Sequence, residues 1–177
     1  HKQELISDLI YNGKHALVEK PLWIENEHEF DALESAAREK GVLCYTAYNH
    51  RFEPHFCRMN DLIKSGALGE IYRCRMFYGN GTAQLVRESD WRDKEAGVLP
   101  DLGSHLLDTA MFWFDDIGDK FKIVSANCFE NRAPDHVVIG SESNRPEIEL
   151  EMTLLMWRNH FTCDVLAENG SAHIESL

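Results

Sequence analysis

Asp101, His105 and Asp108 stand at i, i+4 and i+7 in "DLGSHLLDTAMFWF", one stripe of one helix face. The other positions are apolar: Leu102, Leu106, Leu107, Ala110, Met111, Phe112, Trp113 and Phe114. The pattern predicts a helix that starts at Asp101, an acceptable N-cap, and is almost wholly buried. Ionisable groups on such a helix cost free energy unless paired, so the stripe is expected to meet a cleft or a partner. An aspartate hydrogen-bonded to a histidine fixes the imidazole tautomer and raises its basicity, which is how a general base is built. An isolated D-x-x-x-H describes a capping aspartate satisfied by a histidine equally well. Gly97, Gly103 and the second aspartate within the same motif favour the chemical reading. No metal is expected, because only one histidine lies in the motif and no H-x-H or H-x-x-x-H accompanies it.

A second candidate is Glu19-Lys20-Pro21, which ends the apolar run "HALV". A lysine at the carboxyl end of a parallel strand sits where α/β sheets bind ligands, and its charge favours the alkoxide of a bound hydroxyl. A surface ion pair ending a strand fits the same residues. "YNHRF" places Asn49, His50 and Arg51 after the next strand, and "SDWRD" places Trp91 and Arg92 in a loop, an aromatic and a cation able to stack on and clamp a charged ligand.

The elements that position these residues change character along the chain. Residues 1–49 read helix, strand, helix, strand: Leu5, Ile6, Leu9 and Ile10 form one helical stripe, Phe30, Leu33, Ala36 and Ala37 another. "HALVEK" and "VLCYTAYN" read as buried strands. Asn12-Gly13 closes the first helix. This alternation predicts parallel strands. From residue 50 a helix over "FEPHFCRMNDLIK" and a strand over "GEIYRCRMFYGN" follow. Residues 80–100 read as loop, and after the apolar helix come five strand-like runs without helices between them, which predicts an antiparallel sheet. The fold class expected is α/β plus α+β, with 1–49 as the C-terminal part of a dinucleotide-binding domain and 50–177 as a substrate and oligomerisation domain. Two parallel strands are too little sheet for a whole α/β domain, so the expectation is a fragment lacking its first strands and cut at Leu177.

Composition narrows the function classes. The 177 residues hold 18 Lys plus Arg against 30 Asp plus Glu, a net charge of −12. That charge argues against binding nucleic acid or anionic lipid. No apolar run is long enough to span a bilayer. The five cysteines form no C-x-x-C pair, so free thiols in a reducing cytoplasm are expected.

Taken in order, "GKHALVEKPL", "YNHRFEPHF", "SDWR" and "GVLPDLGSHLLD" resemble the Gfo/Idh/MocA oxidoreductases, the family of glucose–fructose oxidoreductase and inositol dehydrogenase. The motifs run from His1 to about Asp108, and "LAENGSAHIESL" fits the later sheet loosely. The resemblance implies a Rossmann domain followed by an α+β domain with an open, mostly antiparallel sheet. It also implies an NAD or NADP cofactor, a small carbohydrate-like substrate and homo-oligomers through the sheet face. By motif, Lys20 matches the lysine that binds the reacting hydroxyl, and Asp101 and His105 match the acid/base pair, with His105 accepting the proton. Glu19 and Pro21 match positions beside the nicotinamide, with a Lys20–Pro21 bond that is often cis. Asn49, Trp91 and Arg92 match cofactor contacts, and His50, Arg51 and Asp108 substrate contacts. Departures are the single Gly97 where many relatives carry several glycines, Pro100 ahead of Asp101, and the absence of any G-x-G-x-x-G. Without that loop the chain alone is expected to bind the cofactor poorly and to be inactive. A dinucleotide-binding sensor of the same fold is the alternative reading.

Overall fold

The computed structural model describes residues 2–22, 27–89, 92–118, 120–142 and 145–175. They form two compact units, His1–Tyr48 and Asn49–Leu177.

The first unit runs α1 (Lys2–Tyr11), β1 (Ala16–Val18), α2 (Glu27–Lys40) and β2 (Cys44–Thr46). The two strands pair in parallel, Ala16 opposite Cys44 and Val18 opposite Thr46. Gly13 ends α1 at φ 68°, where the Lys14 amide donates back to the Leu9 carbonyl. That left-handed turn costs glycine nothing. Ile6 and Ile10 of α1 and Ala36 of α2 cover Ala16 and Val18. The helices cover this one face only. Strand side chains alternate between faces, so Leu17 and Leu43 stand 76% and 73% exposed. The expectation of two buried strands fails on this second face. Leu5 and Phe30 are likewise exposed rather than inward, flanking narrower buried stripes.

The second unit opens with a 3₁₀ turn (Asn49–Phe52) and α3 (Pro54–Lys64), followed by β3 (Ile71–Gly79) and the short α4 (Ala83–Arg87). A π-helical turn (Leu99–Gly103) leads directly into α5 (Ser104–Phe114). Five strands complete the unit: β4 (Phe121–Asn127), β5 (His136–Ser141), β6 (Glu147–Thr153), β7 (His160–Ala167) and β8 (Gly170–Glu175). The sheet order is β4-β5-β6-β3-β7-β8. All neighbours are antiparallel except β3 with β6. The earlier strand β3 thus enters the middle of a sheet otherwise built from the later chain.

One sheet face carries Cys74, Met76 and Tyr78 of β3, Ile148, Leu150 and Met152 of β6, and Phe161, Cys163 and Val165 of β7. These pack with Phe56 of α3 and Leu106, Ala110 and Trp113 of α5. The alternation of "EIELEMT" is therefore core alternation. The opposite face is ionic: Arg75 bridges Glu149 and Glu151 at 2.9 Å each, and Arg73 meets Glu149 at 3.1 Å.

Two further expectations shift. Residues 80–100 contain α4 rather than loop alone. The apolar helix starts at Ser104, so Asp101 is no N-cap. It sits inside the π turn, in which Pro100 lacks the amide that a regular helix would need. The helix α5 is also less buried than its composition predicts, with Met111 facing solvent.

Candidate active site

The expected site residues fall into both units, and each group has its own local logic. In the first unit the stretch after β1 is held from α1: the Lys2 ammonium donates to the carbonyls of Glu19 at 2.7 Å and Pro21 at 3.0 Å. Two polar hydrogen bonds from one cation fix the backbone on either side of Lys20, whose side chain is partly exposed. The Lys20–Pro21 bond is cis, as the resemblance implies. Lys2 carries no motif and its part here was not visible in the sequence.

In the second unit the 3₁₀ turn, β3, the π turn and α5 converge. His105 lies in the first turn of α5 and is only 7% exposed, and His50 is 3% exposed. Their ring centroids are 4.7 Å apart at a tilt of 32°. The Tyr78 ring stands T-shaped to both, at 5.2 Å from His50 and 6.0 Å from His105. Phe56 and Phe161 close the other sides of His50 at 4.7 and 6.1 Å. Two imidazoles thus sit in an aromatic shell supplied by α3, β3 and β7.

Charged groups surround this shell. The Arg92 guanidinium donates to an Asp101 carboxylate oxygen at 2.8 Å. Glu53 lies 4.0 Å from His50 Nε2 and 3.5 Å from His55 Nε2. The Tyr78 hydroxyl is pushed above the ordinary phenol value by burial first, then by the negative charges of Asp101 and Glu53. It is therefore a neutral O–H at physiological pH.

Arg51 and Asp108 pair with each other. The guanidinium donates through Nε at 2.8 Å and Nη2 at 2.7 Å to the two carboxylate oxygens, and it lies 5.3 Å over the Phe112 ring. This forked, stacked geometry suits arginine alone. The Arg51 carbonyl in turn accepts from Cys57 Sγ at 3.2 Å. Such a pair ties the 3₁₀ turn to α5 and so sets the height of His50 against His105. Asn49, at the start of the same turn, is exposed. Trp91 lies outside the described residues.

Asp93, the last residue of "SDWRD", is structural. Asp93 accepts the Ala133 amide at 2.8 Å, and the Val98 amide donates to the Pro134 carbonyl at 2.9 Å. Gly97 permits that approach: its φ is 54°, and a Cβ there would collide with the Pro134 carbonyl. Asp135, fully buried, accepts three successive amides from Phe129 to Asn131. The loop before the π turn is thereby pinned to the loop before β5.

Sequence reading missed Tyr78 and Glu53. Tyr78 was detectable only as an inward position of β3, and Glu53 only as part of "HRFEP". Among the described residues no group of three or more His, Cys, Asp or Glu is placed to hold a metal ion. Nor is any helix long and apolar enough to cross a membrane.

The GFO/IDH/MocA C-terminal domain model matches residues 56–173. A scyllo-inositol 2-dehydrogenase (NADP(+)) of Bacillus subtilis is 35% identical over 126 residues, covering 70% of this chain and 33% of the relative. A glucose-6-phosphate 3-dehydrogenase of the same organism is 29% identical over 120 residues, covering 65% and 34%. Among solved structures, a probable dehydrogenase from Thermotoga maritima gives a TM-score of 0.86 at 16% identity over 99% of this chain and 54% of its own. A levoglucosan dehydrogenase in complex with NADH and levoglucosan gives 0.80 at 22% over 98% and 51%. The matched part is thus about a third of the curated relatives and about half of the solved chains. The structural likenesses establish the fold, an α/β unit followed by an α+β unit with a mostly antiparallel sheet. With the family model matched across nearly all of the sheet unit, the chain belongs to the GFO/IDH/MocA family.

Proposed function

We propose that this chain supplies the substrate side of an NAD(P)-dependent dehydrogenase acting on a secondary hydroxyl of a sugar, sugar nucleotide or cyclic polyol. The observation that carries the reading is His105. It is a buried imidazole at the start of α5, 6.0 Å from the ring of Tyr78, whose hydroxyl stays neutral, and four residues after an aspartate that an arginine holds at 2.8 Å. Relatives named as scyllo-inositol, glucose-6-phosphate and levoglucosan dehydrogenases support the substrate class.

The first unit reads as the last part of a Rossmann domain. Its β1 end, where Lys2 fixes the Glu19 and Pro21 carbonyls, is the proposed seat of the nicotinamide ring. The 177 residues hold no G-x-G-x-x-G to cradle a pyrophosphate. Glu19, Pro21, Asn49, Trp91 and Arg92 are the proposed contacts to the nicotinamide end. When bound, that group accepts the hydride.

In the oxidative direction the Lys20 ammonium polarises the substrate hydroxyl and lowers the cost of its alkoxide. His105 takes the hydroxyl proton at a ring nitrogen. Asp101, oriented by Arg92, stabilises the imidazolium that results. Arg51 and Asp108 act through position: they satisfy each other and fix the 3₁₀ turn on α5. The open sheet face is proposed as the oligomer contact.

Steady-state reduction of NAD and NADP by a panel of cyclic polyols and sugars tests this in the enzyme that carries the chain. His105→Ala and Lys20→Met are each expected to lower kcat by roughly 10²–10⁴-fold. Near-normal turnover in both variants contradicts the assignment. Dinucleotide binding without turnover on any substrate would point instead to a sensor of the same fold.

A further inference from the structure

Tyr78 carries a polar group that the proton-transfer steps do not use. It lies near the end of β3 on the core side and is 8% exposed. Its ring is T-shaped to His50 at 5.2 Å, to His105 at 6.0 Å and to Phe161 at 6.3 Å. These contacts come from the 3₁₀ turn, α5 and β7, so three elements fix where the hydroxyl stands. Burial and the charges of Asp101 and Glu53 keep it protonated. Among the described residues this hydroxyl has no hydrogen-bond partner. A buried aromatic with a polar handle normally finds one. The core aromatic nearby does: the Trp113 indole N–H donates to the Phe56 carbonyl at 3.1 Å. An unmade bond in so closed a place costs free energy, which an incoming ligand oxygen recovers. A phenol both donates and accepts, and an alcohol hydroxyl offers the same two roles in return.

We infer that Tyr78 is a substrate-binding residue: its hydroxyl pairs with the alcohol group on the carbon next to the one being oxidised, so the site prefers vicinal diols to isolated secondary alcohols. The inference rests on the reading that His105 takes the proton of the reacting hydroxyl. With the Tyr78 and His105 rings 6.0 Å apart, hydroxyls on neighbouring carbons of one sugar or polyol ring can meet both. A ring with a single hydroxyl leaves the Tyr78 group unpaired against it, and a site built for a hydroxyl rejects the analogue that lacks it. Phenylalanine here keeps the ring packing and gives up the selection.

The test has two arms. In the full 177-residue chain, NMR of ¹³C-labelled tyrosine rings follows Tyr78, with Tyr78→Phe assigning its resonances. scyllo-Inositol is expected to shift them saturably, and cyclohexanol at the same concentrations to leave them in place. In the enzyme that carries the chain, Tyr78→Phe is expected to raise the KM for scyllo-inositol by roughly 3–10-fold, the worth of one neutral hydrogen bond. The fall in kcat should be smaller than that rise, because the bond is made to substrate and transition state alike. No shift with scyllo-inositol, an equal shift with cyclohexanol, or a KM equal to the wild-type value in Tyr78→Phe overturns the inference. If the wild-type enzyme oxidises no polyol, the dehydrogenase reading fails, and the NMR arm still decides whether Tyr78 meets a vicinal hydroxyl.

Discussion

At the scale of single residues, the site is a set of short-range pairings that the motifs name only in part. Asp101 looked like the cap and partner of His105, and its charge is shared with Arg92 from the preceding loop. Asp108 looked like a substrate contact and is matched by Arg51 at 2.7 Å. Breaking that forked pair with Asp108→Asn should cost about 2 kcal/mol, because it leaves a half-buried guanidinium short of its anion. Urea denaturation with an unchanged m-value would show it. Tyr78 makes a second prediction. Its hydroxyl is raised above 10.0 in the folded state, so folding binds that proton more tightly than the unfolded chain does. Its stabilising contribution is complete below the ordinary phenol value and is lost as pH rises through the folded value. Tyr78→Phe should therefore blunt alkaline destabilisation, read as the melting temperature in steps above pH 10.0. Sequence order could not show His50 against His105, because the contact joins residues of different elements and depends on the 3₁₀ turn.

At the scale of elements, regular segments with a clear period were legible, and irregular ones were not. The period of two in "EIELEMT" matches the burial of Ile148, Leu150 and Met152. The apolar positions of "FEPHFCRMNDLIK" match the burial of Phe56 and Met59 in α3. The π turn at Leu99–Gly103 has no such period, since its bonds skip one residue more than a helix and Pro100 donates none. It displaced the start of α5 to Ser104. The loop ahead of the turn depends on Gly97. Gly97→Ala forces both a left-handed alanine and a clash with Pro134, at a cost of roughly 1–3 kcal/mol. Loss of stability without change in the sheet's circular dichroism is the expected result. The thiols give a further check on the sheet. Cys74 and Cys163 are buried, their sulfurs 3.9 Å apart, and the Cys163 thiol is pushed well up by its hydrogen bond with the Cys74 thiol and by burial. Both should resist a thiol reagent until the chain unfolds, whereas exposed Cys44 and Cys128 react at once. Rapid labelling of Cys163 in the native chain would contradict the register of β3 with β7.

At the scale of the whole molecule, two units of unequal substance carry the two halves of the proposed chemistry. The sheet unit has a continuous core from Phe56 to Ile174, while the first unit rests on Ile6, Ile10, Ala16, Val18, Ala36 and Val42. Native-state hydrogen exchange should therefore show β1 and β2 opening at lower free energy than β3, β6 and β7. The alternation of helix and strand made the first unit legible. Its second face was not, because a parallel pair reads as buried whether or not anything covers Leu17 and Leu43. The central claim, however, is chemical: His105 accepts the proton of a substrate hydroxyl. The most direct test is the pH dependence of kcat/KM for polyol oxidation, compared between the wild-type enzyme and His105→Ala. The wild type should show an acid limb that disappears in the variant, with a rate lower by roughly 10²–10⁴-fold at its optimum. A variant that keeps both the limb and a near-normal rate would contradict it.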